Sequence, residues 1–184
     1  MSGLRLHIGG REKRDGWTVL DSEARDHVDH VGDCRDLSFL NNESCEEIYA
    51  SHVVEHLGYD QGVGQALKEF HRVLVPGGRL RLSVPDMDTL CSLFVHPQTT
   101  LNEKFHLMRM LFGGRLDAAD VHLTGFNFEF LRDFLTRAGF RDIRRVQEFQ
   151  EFEDTSRARF RGVLISCNVE AFKLKAMLLA LFLI

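Results

Sequence analysis

The stretch Leu4-Arg5-Leu6-His7-Ile8-Gly9-Gly10 decides how the rest of the chain is organised. Its apolar residues alternate and then stop at two glycines, which predicts a strand followed by a tight turn. A second short apolar run, residues 17–20, ends at Asp21 and predicts a second strand. Ligands of open α/β sheets bind beyond the carboxyl ends of the strands, where a carboxylate can hold a ribose diol. The stretch therefore indicates half of a nucleoside-binding site, with a plain glycine turn as the alternative.

Composition and charge narrow the class of protein. The chain has 184 residues, 44% hydrophobic and 27% charged, which is typical of one globular domain. A net charge of −4 argues against general binding of nucleic acid or of anionic membranes. The four cysteines form no C-x-x-C pair, so we expect no metal site. No signal segment opens the sequence, so we expect free thiols and a cytoplasmic location.

The spacing of apolar residues predicts strands alternating with helices along the chain. Further strands are predicted at 30–33, 47–51 and 79–84, and helices at 61–75, 87–94, 101–112 and 127–138. Pro76-Gly77-Gly78 is predicted to end the 61–75 helix, and two last strands, 140–153 and 162–169, to form a hairpin. This order predicts an α/β fold whose sheet is mostly parallel with an antiparallel edge.

We expect a single domain, residues 1–184, with no internal repeat. An insert at about 97–126 is expected to cover the carboxyl ends of the strands. The apolar tail, 176–184, has nine residues and is far shorter than the roughly 20 needed to span a bilayer. We expect it to pack on the core or on a second subunit of a homodimer. Peripheral membrane contact and the start of a longer segment are the alternatives.

Four stretches together resemble a class I S-adenosylmethionine (SAM)-dependent methyltransferase of the methyltransferase type 11 family. The stretches are 6–10 with 16–21, then 32–39, then Ile48-Tyr49-Ala50-Ser51-His52-Val53-Val54-Glu55-His56-Leu57, and finally 69–80 running on to 83–86. They follow the family's order and spacing over residues 4 to about 90. The resemblance implies a Rossmann-like, seven-stranded, mostly parallel sheet with a reversed last strand and helices on both faces.

The resemblance also implies SAM as the cofactor and assigns residues to it. Gly9 and Gly10 would lie against the methionine part of SAM, and Asp21 would take the ribose hydroxyls. Asp33 would accept from the adenine amino group, with the backbone amide of Cys34 near the ring. Ser51 and His52 would border the methionine portion and the methyl group. Carboxylates suit a diol and an amine because both ligand groups donate hydrogen bonds.

The first motif departs from the family's Gly-x-Gly pattern. Gly9-Gly10 runs directly into the charged residues 11–15, and only about six residues separate it from the second strand. That distance is too short for the usual crossover helix between parallel strands. Arg11 or Lys13 is expected to crowd the cofactor site.

Three histidines are candidates for a general base, since an imidazole titrates near neutral pH. His122 lies in the predicted insert, where the methyl acceptor is expected. His52 is expected mainly to shape the pocket, and His56 to bond the backbone at the end of a short helical turn. His7 is expected to be a satisfied structural histidine. The arginines at 157, 159 and 161 are expected to form a solvated loop, with an anion site as the alternative.

The sequence thus favours a SAM-dependent methyltransferase acting on a small molecule, a glycan or a lipid precursor. No nucleic-acid partner and no transmembrane segment are expected. The alternative is a methyltransferase-like binding or assembly module without catalysis, suggested by the shortened first motif and the apolar tail. A nicotinamide oxidoreductase is a weaker third hypothesis, because its Gly-x-Gly-x-x-Gly fingerprint is missing.

Overall fold

The computed structural model describes residues 3–116 and 120–175. The tail at 176–184, and with it the predicted subunit or membrane contact, lies outside the described residues. The strands are β1 Leu4–Ile8, β2 Thr18–Asp21, β3 His30–Val31, β4 Cys45–Ser51, β5 Leu74–Pro85, β6 Arg141–Val146, β7 Arg159–Phe160, β8 Val163–Leu164 and β9 Ser166–Phe172. The helices are α1 Gly62–Val73, α2 Met87–Val95, α3 Leu101–Phe112 and α4 Phe128–Arg137.

Seven strands form one sheet in the order β3-β2-β1-β4-β5-β9-β6. Neighbours from β3 to β5 are parallel, whereas β9 runs antiparallel to both β5 and β6. The predicted Rossmann-like sheet with a reversed last strand is confirmed. The predicted antiparallel edge is also confirmed, since the exposed edge strand β6 pairs antiparallel with β9, which itself lies inside the sheet. Because β9 lies between β5 and β6, its first four residues are all buried.

The connections in the first half of the sheet are short and irregular. Residues 9–17 join β1 to the adjacent parallel strand β2, and no α-helix occurs among the described residues before Gly62. The prediction that this connection is too short for a crossover helix is therefore confirmed. A crossover of a dozen residues or more, usually helical, is the ordinary solution for parallel neighbours.

Two element boundaries differ from the sequence prediction around Pro76-Gly77-Gly78. Helix α1 ends at Val73, and Leu74 is already extended, so the Pro-Gly-Gly segment lies inside β5 instead of between helix and strand. The strand register shifts between Cys45 and Glu47, opposite this segment. Gly77 has φ +87° and its N–H donates to the carbonyl of Lys173, so the motif forms a bulged entrance to the strand.

The predicted strands 140–153 and 162–169 are also corrected. Strand β6 stops at Val146, because the chain then leaves the sheet and buries Phe149 and Phe152 against its face. The second prediction divides into the short strand β8, which pairs only with β7, and the long strand β9. In the 140–153 prediction, the apolar pattern therefore extends past the end of strand β6 at Val146.

One face of the sheet is covered by α1 and α4. The apolar side of α1 follows helical spacing and is fully buried at Val63, Ala66, Leu67, Phe70 and Val73. These side chains share one core with the strands and with α4. Asn127 caps the start of α4 by accepting from the N–H of Phe130, and the cap fixes where the helix begins.

The opposite face is covered at its centre by an aromatic cluster of Trp17, Tyr49, Phe149 and Phe152. His7 lies in the same cluster, with its ring centroid 4.0 Å from that of Phe152. The expectation that His7 is satisfied is wrong, since its Nδ1 is buried and finds no hydrogen-bond partner in the described part of the chain. The ring is held by packing, and burial lowers the pKa of His7 to about 4.

Helices α2 and α3 follow β5 and contact each other beyond its carboxyl end. Thr100 and Glu103 form a capping box that begins α3, and Gly113, with φ +90°, ends it. Within the described ranges, no helix is both long and apolar enough to cross a membrane.

Candidate functional site

A cavity of about 660 Å³ opens at the carboxyl ends of the central strands. This volume lies within the roughly 300–1,000 Å³ that is usual for small-molecule sites. The strand order reverses between β1 and β4, and ligands of open α/β sheets bind at such a switch point. The residues predicted from the sequence that line the cavity are Gly9, Arg11, Asp21, Asp33, Cys34, His52, His56 and His122.

Gly9 turns the chain at the end of β1 in a way that only glycine tolerates. Its φ is +70°, and a Cβ added there would lie 2.6 Å from Cγ2 of Val53. Its N–H donates to the carbonyl of Leu20 at 2.8 Å, which fixes the turn against β2. The backbone of Gly9 is thereby presented to the cavity without a side chain.

Gly10 and Ser51 are the two predicted cofactor residues that do not line the cavity. The carbonyl of Gly10 lies 3.0 Å from Nε2 of His27, and a Cβ on Gly10 would lie 2.8 Å from Nδ1 of His7. The second glycine is therefore required by packing around the His7 ring. Ser51 ends β4 two residues after Tyr49, and so lies on the aromatic face of the sheet.

Two carboxylates mark the far side of the cavity. Asp21 accepts a hydrogen bond from the N–H of Glu23 at 2.9 Å. The oxygens of Asp33 accept from Nε of Arg35 at 3.0 and 2.9 Å, and this side-chain contact holds the pKa of Asp33 below its ordinary value. A carboxylate has about four acceptor positions. Asp21 therefore keeps acceptor capacity for donors of a ligand, whereas the backbone N–H, Nε and Nη2 of Arg35 already occupy the acceptor positions of Asp33.

The charged residues after Gly10 divide between the cavity and its surroundings. Arg11 lines the cavity, as predicted for a crowding residue, whereas Lys13 pairs with Asp29 at 3.2 Å and does not line it. Arg14 bonds Glu151 and lies over the ring of Phe152 at 5.0 Å. The shortened connection is thus tied to the segment that covers the aromatic face.

The thiol of Cys34 lies within the cavity lining but is unsuited to nucleophilic chemistry. Burial raises the pKa of the Cys34 thiol to about 12, so the thiolate is scarce at neutral pH. Packing or the backbone amide is what this residue can offer to a ligand.

His52 directly follows β4 and adopts a left-handed backbone, with φ +54°. Its Nδ1 lies 3.2 Å from Oε1 of Glu55, and its Nε2 lies 3.0 Å from Oγ of Ser166. The Ser166 hydroxyl donates to the carbonyl of Thr155, so its oxygen accepts from Nε2–H of His52. Both ring nitrogens are therefore engaged, which agrees with a pocket-shaping role. An uncommon backbone held at a cavity wall is typical of functional sites.

Glu55 and His56 form, with His122, a group that sequence reasoning did not assemble. His56 was expected to bond the backbone, and its Nδ1 does lie 3.1 Å from the carbonyl of Val121. Glu55 was missed. The spacing His52-x-x-Glu55-His56 after a strand end was the available signal, since one short turn at Val54–His56 points both residues inward.

His122 reaches this group from the irregular chain that follows α3. Its Nδ1 lies 3.2 Å from the carbonyl of Leu111, and its ring centroid lies 4.9 Å from that of His56. Burial lowers the pKa of His122, the Glu55 carboxylate opposes this effect, and the His56 ring adds to it. The imidazole is therefore largely unprotonated at neutral pH and can accept a proton or a ligand.

Helix α3 and the irregular chain after it supply the outer wall of the cavity. The lining residues within the predicted insert are His106, Arg109, Met110, Gly114, Leu116, Asp120 and His122. The N–H groups of Leu123 and Thr124 both donate to the carbonyl of Glu55. These bonds fasten the insert to the turn that carries Glu55 and His56.

The arginines at 157, 159 and 161 lie outside the cavity lining, and each has an acidic partner. Arg157 bonds Glu153, Arg159 pairs with Glu148 at 3.1 Å, and Arg161 pairs with Glu103 at 2.7 Å. Because these guanidinium groups already have carboxylate partners, the arrangement fits the expected surface loop better than an anion site.

Comparison with known proteins places the chain in context. Residues 17–82 match the family model described as a methyltransferase domain. A search of curated proteins gives no match. The fold is similar to a SAM-dependent methyltransferase from Archaeoglobus fulgidus, with a TM-score of 0.58 and 16% identity, covering 93% of this chain and 86% of that one.

Two further solved structures share the fold. A Burkholderia thailandensis 1,6-didemethyltoxoflavin-N1-methyltransferase with bound 1,6-didemethyltoxoflavin and S-adenosylhomocysteine has a TM-score of 0.59 and 17% identity, over 94% of this chain and 72% of that one. A possible exported protein from Bordetella parapertussis has a TM-score of 0.58 and 15% identity, over 94% of this chain and only 62% of that one.

The family match and the fold together confirm the resemblance to the class I SAM-dependent methyltransferases. They also support SAM, the cofactor of that class, as the one expected here.

Proposed function

We propose that this chain binds SAM in the 660 Å³ cavity and transfers its methyl group to a small-molecule acceptor held near His122. One observation carries the proposal: Gly9, Asp21 and His122, which are far apart in sequence, line one cavity at the switch point of the sheet. The cavity thus presents a backbone surface and a carboxylate to the cofactor, and an unprotonated imidazole to the methyl acceptor.

The adenosine part of SAM is assigned to the side of the cavity that carries Asp21 and Asp33. Ribose hydroxyls and an exocyclic amine donate hydrogen bonds, which Asp21 can accept as it stands and Asp33 can accept where the exposed side chain of Arg35 moves away from it. The methionine part would follow the backbone of Gly9, where no side chain intervenes. The methyl group would then point towards His52 and His122, and Arg11 would border the cofactor.

The acceptor is assigned to the wall formed by α3 and the residues around His122. Methyl transfer from a sulfonium is an in-line displacement, so the protein must mainly align the acceptor and remove its proton where necessary. His122 suits the second task because burial keeps its ring unprotonated. The Burkholderia structure with its bound small molecule supports an acceptor of this size over a glycan or lipid precursor.

Calorimetric titration with SAM and with S-adenosylhomocysteine tests the proposal. We expect saturable binding of both, and an Asp21→Asn variant should weaken it about 10-fold, the loss of one charge-assisted hydrogen bond. Asp15→Asn is the matched control, because Asp15 is exposed and does not line the cavity. Absence of binding by the unaltered chain at high micromolar ligand would overturn the proposal and favour the non-catalytic module.

A further inference from the structure

Glu55, His56 and His122 form a cluster whose geometry is that of a metal site. Each residue offers one ligand atom, and the three atoms lie within 4.8 Å of one another. All three residues also line the cavity. No metal site was expected from the sequence, because the cysteines form no C-x-x-C pair, and this cluster contains no cysteine.

The backbone sets the tautomer of both histidines. Nδ1 of His56 faces the carbonyl of Val121 and Nδ1 of His122 faces the carbonyl of Leu111. A carbonyl only accepts, so Nδ1 carries the proton in each ring and Nε2 keeps its lone pair. Metal-binding histidines are oriented by this type of second hydrogen bond, from Nδ1–H to a backbone carbonyl.

Glu55 supplies the charge that such a site requires. Its side chain is 1% exposed, and neither carboxylate oxygen receives a hydrogen bond from any residue that the structure describes. The ring of His52 lies beside this carboxylate, with Nδ1 3.2 Å from Oε1. Burying an ionised carboxylate is costly unless it is paired or coordinates a metal. Apart from the contact with His52, the carboxylate therefore lacks the compensation that an ion would provide.

We propose that Glu55, His56 and His122 bind a divalent first-row transition-metal ion, with Zn²⁺ as the best match. Two imidazole nitrogens and one carboxylate are a ligand set found in catalytic zinc sites, which leave a fourth position open. Bonds of about 2.0–2.2 Å place neighbouring ligand atoms roughly 3.3 Å apart, so the ligand atoms would draw together by no more than about 1.5 Å on binding.

His52 acts in this site as a positioning residue. Nδ1 of His52 contacts one carboxylate oxygen of Glu55, and Nε2 of His52 contacts the hydroxyl of Ser166. The bonds from the N–H groups of Leu123 and Thr124 to the carbonyl of Glu55 keep His122 within reach of the other two ligands.

The open position of the ion would face the cavity and take an oxygen of the methyl acceptor. A bound divalent ion lowers the pKa of such an oxygen and orients it, which favours hydroxyl-bearing acceptors. In the loaded protein His122 is a ligand and no longer a base. This last step rests on the proposed function, whereas binding of the ion does not.

The test is a titration of the metal-stripped full chain with Co²⁺, followed by visible absorption, and with Zn²⁺, followed by calorimetry, both without SAM. We expect one saturable site. Glu55→Gln, His56→Gln and His122→Gln should each weaken binding by more than about 10-fold. His96→Gln is the matched control, because His96 is exposed and outside the cavity, and it should leave the affinity unchanged.

The proposal of a metal site would be overturned if the unaltered chain bound neither Co²⁺ nor Zn²⁺. It would also be overturned if all four variants bound the ions with equal affinity. Thermal unfolding of each metal-free variant separates a lost ligand from a lost fold, and a ligand variant that unfolds as the parent does but fails to bind supports the proposal. A chain that binds Zn²⁺ but not SAM would reject the proposed function and leave this inference standing.

Discussion

Nδ1 of His52 lies 3.2 Å from Oε1 of Glu55, and the pair joins a strained strand end to the buried turn that follows it. Removing either side chain leaves the other without its partner in this contact. In the metal-free chain we expect His52→Asn to lower the free energy of unfolding by about 2 kcal/mol, because it strands the buried carboxylate of Glu55.

Glu55→Gln supplies the control for this prediction, since it removes the charge and keeps the shape. In the double variant His52→Asn should then cost at least 1 kcal/mol less, roughly the size of coupling seen between contacting residues. Urea unfolding of all four chains measures the coupling. Additive effects, within about 0.5 kcal/mol, would show that the two side chains do not support each other.

Gly9→Ala is expected to weaken SAM binding and to destabilise the chain. The φ of +70° and the 2.6 Å approach of Val53 leave no room for a methyl group, at a cost of about 1–3 kcal/mol. Gly64→Ala is the matched control within helix α1, where a Cβ meets nothing within 4 Å. That change should stabilise the chain by about 0.5–1 kcal/mol. Equal effects of the two substitutions in thermal unfolding would contradict this interpretation of the turn.

The stability of the chain should fall as the pH drops from about 6.5 to about 4. Burial lowers the pKa of His7 from 6.5 to about 4, so the unfolded chain takes up this proton well before the folded one does. His7 therefore does not lower the free energy of unfolding above pH 6.5. As the pH falls towards 4, it lowers this free energy by up to about 3 kcal/mol.

His7→Leu should flatten this part of the pH profile of urea unfolding, because leucine does not titrate. His96→Leu changes an exposed histidine and should leave the slope as it is. A profile for His7→Leu that runs parallel to that of the parent chain would assign the pH dependence to other groups.

Arg81 is expected to contribute more to stability than any exposed arginine pair. Its side chain is 9% exposed and bonds Glu151 at 2.8 Å, with Glu47 on its other side at 3.1 Å. Arg81→Met should cost about 2 kcal/mol, because two largely buried carboxylates each lose one of two cations. Glu47 keeps Arg79, and Glu151 keeps Arg14. Arg137→Met removes an exposed pair with Asp133 and should cost no more than about 0.5 kcal/mol. Chemical denaturation of both variants measures these losses in the free energy of unfolding.

The fold was predictable wherever local signals agreed with the tertiary structure. Strand β1 and helix α3 have the predicted bounds, because alternation ends at Gly9 and the capping box at Thr100 marks a start. The prediction failed for 140–153 because Phe149 and Phe152 continue an apolar pattern. Their partners are Trp17 and Tyr49, which are distant in sequence.

The candidate site was predictable only where it follows the ends of strands. Parallel strands bring their carboxyl ends to one edge, so Gly9, Asp21 and Asp33 could be grouped from their positions alone. Glu55 was missed despite its place just after a strand end, since an acid beside a histidine in a turn usually faces solvent. Its burial depends on the insert that donates two N–H groups to its carbonyl.

The bond between Arg14 and Glu151 has a consequence for how the chain reaches its native state. It joins residues 137 positions apart, so the cover of the aromatic face is completed only after residues 149–152 have been synthesised. Contacts of such separation slow folding and leave apolar surface open in the meantime. A fragment that ends before residue 147 should therefore fail to fold alone, and the newly made chain should depend on chaperones until its far end arrives.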